Sequence, residues 1–358
     1  MKKFIFKTSI FSVTTLFILV SVNYLSDSAK IFHEGYEKKI SKIIFSNHNA
    51  TNISNYDERI LQKELISELN SSPDILILGS SRTMLINSTY FKTKKVINNS
   101  VTGASIEDLI AVYQMYVAKN KLPEKIILGI DPWLFNVNNG LTRWKSLEKE
   151  YYGFSNKKSD LKKSVLNNKV KQLFSFSYFQ ASFGNLPNLI NGNSEPVSTD
   201  EIYNQTTTKL VDASLSYGKK YREASIDQVN SKAKKYTLGS IYSIEKFNDI
   251  SSEIFQEFEN LCFSILQNDI ELSFFLSPYH PIVFEKINED YQIVLEVENK
   301  VLQFANKKGI KCLGSFSPQK AEVNNSDFYD GMHCKEEAIK KIMRVQTNNN
   351  DYKPIGNW

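Results

Sequence analysis

Apolar residues fall along the chain in three patterns. The first is one uninterrupted stretch, residues 8–25 (TSIFSVTTLFILVSVNYL), with no charged residue in it. As a helix it measures about 27 Å, close to the thickness of a bilayer's hydrocarbon core. The second is a set of short runs bounded by turn residues: 74–78 (DILIL), 125–130 (KIILGI), 271–276 (ELSFFL) and 310–313 (IKCL), with a weaker one at 95–101. Continuous rather than alternating apolar character is the mark of strands buried on both faces. The third is helical spacing, at 105–119, 251–267 and 288–307; the first of these opens with Ser-Ile-Glu-Asp, a capping-box pattern.

Alternating strands and helices imply right-handed crossovers and a parallel sheet. The pattern therefore predicts an α/β fold, a three-layer α/β/α sandwich around a parallel five-stranded sheet. It occupies residues 73–345, behind a membrane anchor at 1–26 and a polar stalk at 27–72 with a weakly helical patch at 56–69; residues 346–358 read as a tail. From about 133 to 250 the alternation stops. This stretch is too long for a structureless loop and reads as a large, mostly helical insertion. It holds Trp133, Trp144, Tyr151, Tyr152, Phe154, Phe174, Phe176, Tyr178, Phe179 and Phe183. Those aromatics either line the rim of a site and bind a sugar chain or form a core of their own.

Composition adjusts this picture in two places. The 358 residues carry a formal charge of +5, but Lys2, Lys3, Lys7 and Lys30 against Asp27 place +3 in the first thirty, leaving +2 for the rest. That is too little for a nucleic-acid partner. The same lysines flank the apolar stretch, and the sequence 22–26 (VNYLS) offers no small-x-small exit for cleavage. The expectation is a single-pass cytoplasmic (inner) membrane protein with its lysines inside and its domain extracytoplasmic, in a periplasm where one exists. Cys262, Cys312 and Cys334 contain no C-x-x-C pair, so no metal is expected, and no cofactor; one disulfide among three pairings, or three buried thiols, both remain open.

Parallel sheets bind ligands beyond the carboxyl ends of their strands, and candidate chemistry stands there. The first run ends Gly79-Ser80-Ser81-Arg82. A serine after such a turn is presented at the sheet's rim, although a helix-capping serine accounts for these residues equally well. After the last run comes Asp330-Gly331-Met332-His333. That spacing lets a carboxylate hold an imidazole while its other nitrogen faces a nucleophile, or lets Asp330 merely cap the helix that follows. The fourth run ends Ser277-Pro278-Tyr279-His280-Pro281, which makes His280, stiffened by two prolines, a candidate near substrate.

Together these residues resemble the SGNH/GDSL hydrolase superfamily, and within it the membrane-anchored branch that transfers or removes acyl groups on cell-envelope polysaccharides. The resemblance covers roughly residues 74–135 and 250–345 and implies a flavodoxin-like sheet. Reading Gly79-Ser80-Ser81 onto the family's G-D-S block makes Ser81 the nucleophile, with Ser80 in place of the acid; Asp330 and His333 match its D-x-x-H. The segment 99–105 (NSVTGAS) resembles the second block and nominates Gly103, with the Ser81 amide, for the oxyanion hole. The third block, G-x-N-D, is here Gly129-Ile130-Asp131-Pro132, so an aspartate stands where the family has an asparagine donor. An ionised Asp131 cannot donate a hydrogen bond. Asp131 is expected to pair with Arg82, and Arg82, Asp131 and His280 to bind substrate.

The resemblance implies serine-dependent acyl transfer, most simply of acetyl, to or from an envelope polysaccharide, with a multi-span membrane partner supplying the donor if the direction is transfer. The competing expectation is an anchored scaffold that binds glycan without catalysis.

Overall fold

The structure, a computed structural model, describes residues 1–28, 32, 35–155, 170–190 and 195–345; the expected tail lies outside them. Helix α1 (Lys2–Ser26) carries the apolar stretch. Its mean hydropathy is 1.9, none of that window is buried, and it is long and apolar enough to cross a membrane.

Helix α2 (Tyr36–Phe45), strand β1 (Asn49–Thr51) and helix α3 (Glu58–Ser67) follow. These elements occupy the segment expected to be a stalk, and they correct that reading. Tyr36, Ile40, Ile44, Ala50, Leu61 and Leu65 bury together against Ala213, each large aliphatic side chain contributing about 1.5–3 kcal/mol. Asp57 caps α3 by accepting from the Arg59 and Ile60 amides. Buried Arg59 then ties α3 to the domain through Asp108, with Nη2 2.8 Å from its carboxylate. The polar surface that suggested a linker is the outer face of these amphipathic helices.

The main sheet is built from β2 (Ile75–Leu78), β3 (Val96–Asn98), β4 (Lys125–Ile130), β8 (Glu271–Leu276) and β9 (Lys311–Gly314), every neighbouring pair parallel. Its order is β3-β2-β4-β8-β9. All five predicted runs are strands, and side chains alternate between two cores as the two-residue period requires. Leu76, Leu78, Ile126, Leu128, Leu272 and Phe274 face helices α4 (Ile106–Ala118), α9 (Ser252–Gln267), α10 (Pro281–Asp290) and α11 (Ile293–Lys308). Ile75, Ile77, Ile127 and Phe275 face Met84, Leu85 and Ile86 and helix α12 (Glu336–Val345). The single helix expected at 288–307 is two, α10 and α11, which meet at Tyr291 and Gln292.

The described residues of the insertion carry the expected helices and also three short strands that were not expected. After α5 (Glu148–Ser155) and α6 (Phe176–Ile190) come β5 (Val197–Thr199), β6 (Thr208–Lys209) and β7 (Leu215–Ser216), then α7 (Lys219–Arg222) and α8 (Ile226–Leu238). The three strands join β1 in a small antiparallel sheet of order β5-β1-β6-β7. Its early aromatics pack inward. Trp133 is buried, donates to the Ala104 carbonyl at 3.0 Å and meets Tyr242 edge-on, while Trp144, Tyr151 and Tyr152 form a second aromatic group at the edge of the same core.

Candidate active site

The chain leaves β2 toward β3 on one side and reaches β4 on the other, so β2 and β4 flank the point where strand order reverses, where such sheets bind ligands. Ser81 lies just beyond β2, not at a helix start. Consecutive turns follow it, with the Thr83 amide donating to Ser80 O and the Ile86 amide to Thr83 O. Asn98 at the end of β3 clamps them, its amide group donating to the carbonyls of Thr83 and Ile86, both at 2.8 Å. The capping account of Ser81 therefore does not describe this turn.

Asp330 and His333 sit in a tight loop closed by the Phe328–Cys334 bridge and by the Tyr329 amide donating to His333 O. The Met332 and His333 amides donate to Asp330 Oδ1 at 2.8 and 2.9 Å, an Asx-type turn that aims the carboxylate back at the ring. Helix α12 starts only at Glu336, so Asp330 does not cap it. Gly331 has no space for a side chain, since a Cβ there would lie 2.6 Å from the Tyr236 ring and 2.9 Å from Val283.

The two loops meet. Ser81 Oγ lies 2.9 Å from His333 Nε2, and His333 Nδ1 lies 2.9 and 3.0 Å from the two carboxylate oxygens of Asp330. Ser81 and His333 are half-buried and reachable from solvent. Burial acts to raise the Asp330 pKa, but the neighbouring imidazole and the hydrogen bonds it accepts hold the carboxyl well below its usual range. Asp330 thus stays ionised, and His333 Nδ1–H is fixed toward it with Nε2 free to accept from Ser81. Tyr221 of α7 donates to Asp330 Oδ2. Desolvation, together with the Asp330 charge, raises the Tyr221 pKa and keeps the phenol protonated as that donor.

Arg82 is wholly buried beneath this arrangement. Its guanidinium reaches Asp131 Oδ1 at 3.0 Å, the Met332 carbonyl at 3.2 Å, the Pro278 carbonyl at 3.0 Å and the Ser277 carbonyl, and lies 4.1 Å over the Tyr279 ring. One side chain thereby ties the ends of β2, β4 and β8 to the histidine loop. Burial raises the Asp131 pKa, opposed by Arg82 and the Ser80 hydroxyl. The expected pair forms, but neither partner is open to substrate, which corrects the substrate-binding expectation for both. Removing one side of such a pair typically costs about 3–5 kcal/mol.

His280 is also fully buried. It is the N-cap of α10, Nδ1 accepting from the Ile282 amide at 3.2 Å, and its ring packs on Phe328. Burial pushes its pKa down to about 4. So buried, the ring is not open to substrate, which corrects that expectation; it packs under the Asp330 loop, and its amide donates to Gly331 O at 3.1 Å.

Gly103 has φ +54°, and a Cβ on it would lie 2.0 Å from the Tyr242 hydroxyl and 2.6 Å from Arg143 Nη2. A side chain here would have to displace the Tyr242 hydroxyl and the Arg143 guanidinium, in a backbone conformation that favours glycine. Among the described residues, neither the Gly103 nor the Ser81 amide donates a hydrogen bond. Sequence reasoning missed Tyr221, which reaches Asp330 from an insertion with no motif of its own, and the packing of Tyr242 and Arg143 against Gly103. Lys232 packs 4.1 Å over the Tyr221 ring. The three cysteines are unpaired thiols, Cys262 and Cys334 buried.

Searches with this sequence find no matching protein-family model and no matching curated protein.

Proposed function

We propose that the protein is a serine-dependent acyl-transfer enzyme with an SGNH-like domain, acting on O-acyl, most simply O-acetyl, groups of a cell-envelope polysaccharide outside the cytoplasm. The observation that carries the reading is the unbroken run of hydrogen-bond distances from Ser81 Oγ through His333 to Asp330. Few side-chain sets besides a nucleophile, a base and an orienting acid have that arrangement at the mouth of a parallel sheet. Ser81 Oγ attacks the acyl carbonyl while His333 Nε2 takes its proton, and the tetrahedral oxyanion receives the free amides of Ser81 and Gly103. Collapse expels the alcohol, which takes the proton from His333, and leaves an acyl-Ser81. Water or a sugar hydroxyl, deprotonated by the same nitrogen, then resolves it. The anchor favours an acceptor near the membrane, and transfer in that direction needs a multi-span partner to deliver the acyl donor.

Arg143, exposed beside Gly103 and among the described residues bonded only to the Tyr242 hydroxyl at 3.1 Å, would hold an acidic sugar or assist the oxyanion where Asp131 cannot. A second reading, a glycan-binding scaffold, is favoured by that buried Asp131 in place of a donor.

The two readings divide on one assay. The full chain is expected to hydrolyse p-nitrophenyl acetate above background, and Ser81→Ala to lose this while keeping its circular dichroism spectrum. Equal rates for the two proteins would overturn the enzymatic reading in favour of the scaffold.

A further inference from the structure

Helix α6 supplies none of the candidate site's residues and has its own unexplained feature. From Gln172 to Ile190 there is no charged residue. Phe176, Phe179, Phe183, Leu186 and Ile190 recur at helical spacing, so that with about 100° per residue they share one face. Three of the five are exposed, Phe176 by 64%, Phe183 by 60% and Ile190 by 80%, with Phe179 and Leu186 half-buried between them, and the Phe176, Phe179 and Phe183 rings follow one another at centroid distances of 6.1 and 5.9 Å. A soluble surface seldom leaves such an aromatic row in water.

An adjacent face of α6 is occupied, and its partner is the end of α1. The Ser26 hydroxyl donates to Ser182 O at 2.6 Å, Tyr178 donates to Asp27 Oδ1 at 2.7 Å, and the Asn23 amide group bonds the carbonyls of Gln172, Leu173 and Ser175. These bonds bury Asn23, Ser26 and Asp27 and fasten α6 to the last turn of the one apolar span among the described residues. The phenylalanine row is thus continuous with the exposed flank of α1, where Phe17 is 70% and Leu25 62% exposed.

We infer that α6 is an interfacial membrane helix: its Phe176–Phe179–Phe183 face lies in the headgroup region of the bilayer that α1 crosses. The inference rests on reading α1 as a membrane span. The occupant is lipid rather than a second copy because a surface locked to the exit of α1 shares that helix's solvent, and lipid covers α1. Amphipathic helices with Phe and Leu on one face bury that face about 5–10 Å into the headgroup boundary. Two contacts with the bilayer then hold the domain at a fixed tilt, where one flexible anchor would let it swing.

The test uses the full chain in phosphatidylethanolamine/phosphatidylglycerol vesicles in a Cys312→Ser background, the other two thiols being buried. A nitrobenzoxadiazole label is placed at Phe183→Cys, at Phe17→Cys within α1, and at exposed Thr89→Cys, with lipids spin-labelled at headgroup or acyl-chain depths as quenchers. The expected result is lipid quenching at 183 strongest for shallow labels, about 5–10 Å below the headgroups, deep quenching at 17, and none at 89. Quenching at 17 without quenching at 183 overturns the inference, as does self-quenching at 183 that follows protein density rather than lipid label. Absence of quenching at both 17 and 183 overturns it through the span itself.

Discussion

At the scale of single residues the site is governed by how Asp330 is satisfied. Its carboxylate receives two backbone amides, His333 and the Tyr221 hydroxyl, so the imidazole has one tautomer and one direction. Hydrogen bonds to a charged acceptor contribute about 1.5–3 kcal/mol. Tyr221→Phe is accordingly expected to lower kcat about tenfold with KM unchanged, measured by ester hydrolysis; an unchanged kcat would make Tyr221 a packing residue only. His280 gives a prediction of opposite character. Its folded pKa is depressed to about 4, against 6.5 when exposed, so the unfolded chain takes up that proton first as pH falls. Its contribution therefore lowers stability progressively from about pH 6.5 to about pH 4. Urea titrations across this window are expected to show a shallower decline in His280→Asn, which keeps an acceptor for the Ile282 amide and does not titrate. Identical pH dependence in the two proteins would remove His280 as the cause.

At the scale of elements, what was legible depended on length and on the source of burial. The five sheet strands were readable because runs such as KIILGI are apolar throughout, and only a strand covered on both faces needs that. The capped α4 and the Asp330–His333 loop were readable for the same local reason, each signal lying within a few residues. Strands β5, β6 and β7 were not, since two or three residues with mixed burial carry no period. Nor was the burial of Arg82, whose partners come from the ends of β4 and β8 and from the loop before α12, up to 250 positions away. The stalk reading failed because Ile40, Ile44, Leu61 and Leu65 meet their cover only in three dimensions. A fragment beginning at residue 35 is therefore expected to unfold cooperatively, and one beginning at residue 73, stripped of α2, β1 and α3, to melt lower or to aggregate. Equal melting temperatures by calorimetry would show that these elements are dispensable.

At the scale of the whole molecule, two features share one chain: an apolar helix long enough to cross a bilayer and, at the strand ends of a parallel sheet, a serine, a histidine and an aspartate in hydrogen-bond sequence. The sheet supplies rigidity, Arg82 joins the loops that carry the serine and the histidine, and the insertion contributes Tyr221 to Asp330 and packs Tyr242 and Arg143 against Gly103. All of this bears on one claim, that Ser81 is an activated nucleophile. Mass spectrometry of the full chain after exposure to a fluorophosphonate tests it most directly. The account predicts a single adduct on Ser81 that is absent in His333→Ala; a folded protein that takes no label, or one whose labelling survives loss of His333, would contradict it.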